Sequence, residues 1–210
     1  MARNPPPPSQ GSRTQSNSNP PLPDELEGHN FKIRQKVLSI GNKYYMEDQR
    51  GNLVGFCKQK VFKLKEDIRI YKSKNMNKEL FRIKQEEILD FSGTFEVIDS
   101  RTGQTIGFLK RKGFKSLMKD EWILMDPQKR EIGRVKEDSA LKAFLRRTIL
   151  SFLPYNYKIS YQGQQIGNFK EKFTFVRDVY NLNMDNDPNF QVDRRLLLSI
   201  SICLDAIENE

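Results

Sequence analysis

Arg194-Arg195-Leu196-Leu197-Leu198-Ser199-Ile200-Ser201-Ile202-Cys203-Leu204-Asp205-Ala206-Ile207 is the stretch that decides how this chain folds. No charge falls between Leu196 and Leu204, so a helix formed here is apolar on every side. A surface helix keeps one charged face; a helix without one has to be surrounded, by lipid or by protein. Crossing a bilayer takes about 20 mostly apolar residues. This run is shorter, framed by the two arginines and by Asp205, Glu208 and Glu210. A protein wall is therefore expected, burying Leu196, Leu197, Leu198, Ile200, Ile202, Cys203 and Leu204.

The wall is written upstream as an internal repeat. One copy runs from Tyr45 to Gly55, through Gly51-Asn52-Leu53-Val54-Gly55, and is followed by Lys58 and Lys60. Another runs from Phe95 through Gly103 to Ile106-Gly107, followed by Lys110 and Lys112. A third leads from Trp122 to Ile132-Gly133 and Lys136. A fourth leads from Tyr157 through Gly163 to Ile166-Gly167, Lys170 and Lys172. A degenerate copy spans Ile68 to Lys84, with Leu80-Phe81 in place of Ile-Gly. Each copy is an aromatic-led strand, a turn rich in Asp, Gly, Asn or Pro, and a second strand, which is the pattern of a β-hairpin. The glycine inside each second strand points to a bend, a bulge or a close backbone approach. Hairpins bent at matching places curl a sheet towards closure, and a closed barrel leaves no exposed edge.

A curled sheet needs a core and the terminal helix needs walls, so the helix is expected to thread the barrel. About 15 helical residues span roughly 22 Å, the depth of a small barrel. Enclosing the six Leu and Ile side chains contributes on the order of 10 kcal/mol. The fold class read from the sequence is mainly β: a closed antiparallel barrel around the C-terminal helix. One further helix is expected over Ser139–Leu153, where Leu141, Phe144, Leu145, Thr148, Ile149 and Phe152 recur at helical spacing before Pro154.

The chain has 210 residues and a formal charge of +9. Arg3 and Arg13 against Asp24, Glu25 and Glu27 leave residues 1–30 at −1, so residues 31–210 carry +10. Residues 1–30 are expected to be a disordered Pro/Ser/Asn-rich tail. Its clusters Pro5–Pro8 and Pro20-Pro21-Leu22-Pro23 favour polyproline conformation, a candidate docking site for SH3-type domains. Residues 31–210 form the single folded domain. The N-terminus carries no secretory signal and no run is long enough to span a bilayer, so the expectation is a cytoplasmic or a peripheral membrane protein. Cys57 and Cys203 form neither a metal spacing nor a disulfide framework and are read as packing residues.

The order of these elements carries a resemblance. Phe31 to Gly41 is similar to a first strand, Tyr180-Asn181-Leu182 to a last one, and the Asp193-x-Arg-Leu pattern opens the final helix. Residues 31–208 resemble the LURP-one-related and phospholipid scramblase proteins of the tubby C-terminal-like superfamily. The resemblance implies a twelve-stranded barrel around a hydrophobic C-terminal helix. It also implies anionic phospholipid as partner, by analogy with tubby relatives that bind phosphoinositides on a basic groove. Scramblase relatives are associated with calcium-dependent movement of lipid between leaflets, and the resemblance extends that expectation here.

Two groups of candidate site residues follow. Lys110, Arg111, Lys112, Lys115 and Lys119, beside Phe114 and Leu117, and Lys142, Arg146 and Arg147 on the amphipathic segment, are the candidate lipid-binding residues, each worth roughly 1 kcal/mol near anionic headgroups. The other reading of such runs is a solvated charged face. Asp185, Asp187, Asn189 and Asp193 place oxygen side chains at alternating positions, as a calcium loop does. Yet Phe190 stands where the sharp-turn glycine belongs and Leu196 where the closing glutamate belongs, and a turn ending in an Asp193 N-cap uses the same residues. No cofactor is required by the sequence; calcium enters through this turn and the resemblance alone. Arg194 and Arg195 stand at a helix N-terminus, where positive charge is unfavourable, and ion pairing within the fold is expected to hold them. The lone histidine, His29, has no thiol beside it, and no phosphate loop opens a helix, so the protein is read as non-enzymatic. No recognition helix or zinc spacing favours nucleic acid. The alternative to lipid binding is a protein-interaction scaffold with a Pro-rich recruiting tail.

Overall fold

Each hairpin of the repeat contains one residue too many on its second strand, and that surplus shapes the molecule. A computed structural model describes residues 19–38, 41–59, 67–86, 93–112, 121–138, 156–172 and 179–208. The strands run β1 (Asn30–Leu38), β2 (Gly41–Glu47), β3 (Leu53–Gln59), β4 (Ile68–Tyr71), β5 (Glu79–Gln85), β6 (Thr94–Asp99), β7 (Thr105–Arg111), β8 (Glu121–Met125), β9 (Glu131–Glu137), β10 (Asn156–Tyr161), β11 (Gln164–Lys172) and β12 (Val179–Asn183), and the chain ends in α1 (Arg194–Glu208). Every strand pairs antiparallel with its sequence neighbours, and β12 returns to β1 to close a twelve-stranded barrel.

The bulges fall where the repeat predicts. Met46 faces Gly55 while Glu47 faces Leu53, which leaves Val54 as the extra residue. Leu80, Ile106, Ile132 and Ile166 are left over in the same way on β5, β7, β9 and β11. A bulge increases local twist and bends the strand, so five of them at equivalent places roll the sheet. They also reset the side-chain alternation. Inner residues on the second strands are three apart, as in Val54 and Cys57, Leu80 and Ile83, Ile106 and Leu109, or Ile166 and Phe169, all within one buried core. At Gly133 a Cβ would collide with the Ser160 carbonyl of β10, and at Gly167 with the Asn183 carbonyl of β12. These glycines let one hairpin lie close against the next.

α1 fills the barrel. Every side chain from Arg194 to Leu204 is at most 3% exposed, so the residues expected to be enclosed are enclosed. The two serines within the run cost little. Ser199 Oγ donates to the Arg195 carbonyl at 2.7 Å and Ser201 Oγ to the Leu198 carbonyl at 2.6 Å, which satisfies both hydroxyls inside the helix.

The expected tail boundary needs correction. Residues 19–30 are packed on the barrel as a strap: a short 3-10 helix at Asp24–Leu26 buries Leu26 completely, and Pro20 and Pro23 are buried as well. Composition averaged over thirty residues hid Leu22 and Leu26, and could not show that proline carbonyls serve as acceptors. The strap engages Pro20–Pro23, the second of the two proline clusters. Residues 1–18, with Pro5–Pro8, and the segment Ser139–Leu153 lie outside the described residues.

A Gly133→Val substitution is expected to destabilise the barrel by about 2–4 kcal/mol, measured as a shift in urea midpoint, because backbone rather than a flexible side chain blocks the new atoms.

Candidate functional site

The first place where chemistry gathers is the mouth through which α1 enters. Arg194 and Arg195 are fully buried, and a buried guanidinium is tolerated only if paired and saturated with acceptors. Arg194 Nη1 donates to Asp187 Oδ2 at 2.7 Å and to the Val192 carbonyl at 2.9 Å. Its Nη2 donates to the Asp187 carbonyl at 3.0 Å, and its Nε to the Gly28 carbonyl of the strap at 3.0 Å. The remaining Nη2 contact is His29 Nδ1 at 3.3 Å; since a guanidinium only donates, that nitrogen is the acceptor. The Phe190 ring covers the same guanidinium at 4.4 Å. Arg195 donates through Nε and Nη2 to Asp193 at 2.9 and 2.6 Å, through Nη1 to Asp99, and through Nη2 to the Pro20 carbonyl at 2.7 Å. Ion pairing within the fold thus holds both arginines, as expected.

This network accounts for the turn with calcium-like spacing. Asp187 is committed to Arg194 and to the backbone N–H of Gln191 at 2.8 Å. Asp193 binds Arg195 and caps α1, accepting the Arg195 N–H at 2.9 Å. Asp185 accepts amide hydrogens from Asn30 and Asn183, both at 2.6 Å, and those hydrogen bonds hold its carboxyl below the usual range. Asn189 is exposed on its own. Among the described residues no three His, Cys, Asp or Glu side chains are grouped as a metal site.

The basic residues singled out in the sequence are only partly brought together. Lys110 lies on the outer face of β7 between Thr94 and Ile123. Arg111 shares the register position of the buried Trp122. Lys112 pairs with Glu121 at 3.6 Å, which also takes Arg134 at 2.9 Å and Lys136 at 3.3 Å. Lys115, Lys119, Lys142, Arg146 and Arg147 lie outside the described residues.

A denser basic group sits elsewhere. On the outer face of β1–β3, Lys36 stands directly opposite Lys43, and Lys43 directly opposite Lys58. None of the three has an ion-pair partner among the described residues. Like charges directly opposite one another destabilise a sheet, so this ladder works against the fold. Beside it runs a second row in register: Arg34, Tyr45, Phe56 and Tyr71. Tyr45 and Phe56 pack with ring centroids 5.3 Å apart, while Arg34 and Lys74 lie over the Tyr45 ring at 5.6 and 5.5 Å. The face is a lysine ladder bordered by aromatics. Lys58 carried a signal, as the lysine three residues past the repeat glycine; Lys36 and Lys43 carried none, because strand register places them.

The barrel with its enclosed C-terminal helix is matched by a family model, LURP-one-related, over residues 54–205. The chain belongs to the LURP-one-related family. No curated relative matches the sequence. A solved structure of an Arabidopsis thaliana protein is similar at 11% identity and a TM-score of 0.48, with 86% of this chain and 92% of that one covered. Among the described residues no helix is long and apolar enough to cross a membrane.

Burial alone would raise the Asp99 carboxyl, but Arg101 and Arg195 outweigh it and hold it below the usual range. Its stabilising contribution is therefore complete above the unfolded value near pH 4 and lost as pH falls through the folded value. An Asp99→Asn variant, which leaves Arg195 with Asp193 as its one carboxylate partner, is expected to lose about 2–3 kcal/mol at pH 7. Urea titrations between pH 7 and pH 3 are expected to show a shallower acid loss in that variant than in the wild type.

Proposed function

We propose that this barrel acts by binding rather than by catalysis, and that its partner is the anionic surface of a phospholipid membrane, met through the outer face of β1–β3. The observation that carries the reading is the uncompensated ladder Lys36–Lys43–Lys58. Three ammonium groups in direct register cost folding energy, and they are best explained by a counter-charge supplied from outside. In the aromatic row beside them Phe56 is buried, while Tyr45 and Tyr71 are partly exposed and suit the headgroup boundary, where amphipathic rings settle. The surplus of +10 over residues 31–210 favours the same class of partner.

Family resemblance adds calcium-dependent lipid movement, and this reading does not extend to it. The apolar helix that would meet a bilayer is occupied as the barrel's core, and the Asp-rich turn is occupied by arginines. Surface binding needs neither.

Co-sedimentation of the full chain with vesicles, with and without phosphatidylserine and at low and high salt, tests the reading. Each lysine contributes roughly 1 kcal/mol near headgroups, so a Lys36→Gln/Lys43→Gln/Lys58→Gln variant is expected to bind about a hundredfold more weakly at low salt. Its thermal midpoint is expected to hold or rise, since cross-strand repulsion is removed. Pelleting that is indifferent to phosphatidylserine, or to the triple substitution, would remove the proposal.

A further inference from the structure

Met76 and Phe190, at 42% and 37% exposure, are the large apolar side chains most open to solvent among the described residues. Phe190 has a local reason, its place over Arg194 and its stacking on His29 at 4.9 Å. Met76 has none. It stands at the tip of the loop joining β4 and β5, in the left-handed region with φ +55°. That conformation suits glycine or asparagine and is unfavourable for a long side chain. Asparagines occupy both neighbouring positions, 75 and 77, so the chain places methionine at the one site where asparagine fits best. Lys129 and Gln162 share this conformation in the β8–β9 and β10–β11 turns; Met76 differs from them in carrying an exposed apolar side chain.

The loop is built to hold that tip outward. Lys72 N–H donates to the Lys78 carbonyl at 2.9 Å and Met76 N–H to the Ser73 carbonyl at 3.1 Å, closing the loop at its base and again below its tip. Lys72, Lys74 and Lys78 belong to the same loop, all exposed. One carboxylate, Glu25 of the strap, serves both Lys72 and Lys78, the latter at 3.8 Å. Lys74 instead rests on the Tyr45 ring, and Tyr45 adjoins Lys43 on the outer face of β2. The loop and the lysine ladder form one surface.

We propose that this loop is the part of the barrel that enters the bilayer, Met76 seating among the headgroups and upper acyl chains while Lys72, Lys74 and Lys78 contact phosphates. The inference rests on the membrane-surface reading and adds the barrel's orientation: β4–β5 tip inward, β1–β3 face along the surface. One apolar side chain on a loop with three lysines is too small for a protein interface, which buries about 800 Å² per partner. It suits shallow insertion beside anionic lipid.

The natural cysteines make the test direct. Cys57 and Cys203 are both buried, and burial pushes the Cys57 thiol up to about 12 and raises that of Cys203 as well, so a Met76→Cys variant of the full chain takes a thiol-reactive, environment-sensitive fluorophore at position 76. Vesicles of phosphatidylcholine and phosphatidylserine are expected to shift its emission to the blue, and phosphatidylcholine alone is not. An unlabelled Met76→Asn variant is expected to bind the mixed vesicles about five- to tenfold more weakly with an unchanged or higher thermal midpoint. Normal pelleting without a blue shift, or Met76→Asn binding like the wild type, overturns the insertion while leaving the surface reading in place. Failure of the wild-type chain to pellet overturns both.

Discussion

A helix with no polar face survives in water only behind a wall, and α1 is such a helix. That constraint organises everything around it. The barrel must close, so each hairpin has to bend, and the bulges at Val54, Leu80, Ile106, Ile132 and Ile166 bend them. The helix must also be plugged where it enters, and its first two residues are arginines. Drawing two cations into the interior costs several kcal/mol each unless geometry and charge are both satisfied. Three aspartates and two strap carbonyls answer that need. Asp99 comes from the end of β6, Asp187 and Asp193 from the turn before α1, and the carbonyls of Gly28 and Pro20 bind Arg194 and Arg195, while that of Pro21 takes the partly exposed Arg101. The strap, the β6–β7 turn and the helix are thereby tied into one unit.

Much of this was legible in the sequence, for identifiable reasons. The absence of charge between Leu196 and Leu204 is a local property, and it implies enclosure without further information. A branched residue followed by glycine recurs at one place in four of the hairpins, so a bend or bulge there could be anticipated; the bulge at Leu80, where Phe81 replaces the glycine, carried no such signal. What could not be read is whatever depends on register between distant residues. Lys36, Lys43 and Lys58 look unremarkable along the chain and become neighbours only when β1, β2 and β3 align. The Asp-rich turn admits two readings for a related reason: oxygens at alternating positions are what a calcium ion needs, and equally what buried guanidiniums need. The strap was misjudged because two leucines among prolines are diluted in composition yet suffice to anchor a short segment whose carbonyls are wanted.

The enclosed helix also directs where activity is sought. α1 is the core of the barrel and both of its arginines are paired at the entrance, so the binding reading turns to the outside. There the charges are uneven: Glu121 gathers Lys112, Arg134 and Lys136 on one side, while the β1–β3 face leaves its lysines facing each other. A rigid, closed scaffold suits such a surface, because it holds like charges in register that a flexible segment would spread apart.

Native-state hydrogen exchange of the α1 amides, followed with and without phosphatidylserine vesicles, tests the central claim most directly. If the helix is the barrel's core, the amides of Leu198 to Leu204 exchange only when the strands do, at the free energy of global unfolding, and vesicles leave that protection unchanged. Exchange of those amides while the strands stay protected, above all on adding vesicles, would mean that the helix leaves the barrel and would contradict the account.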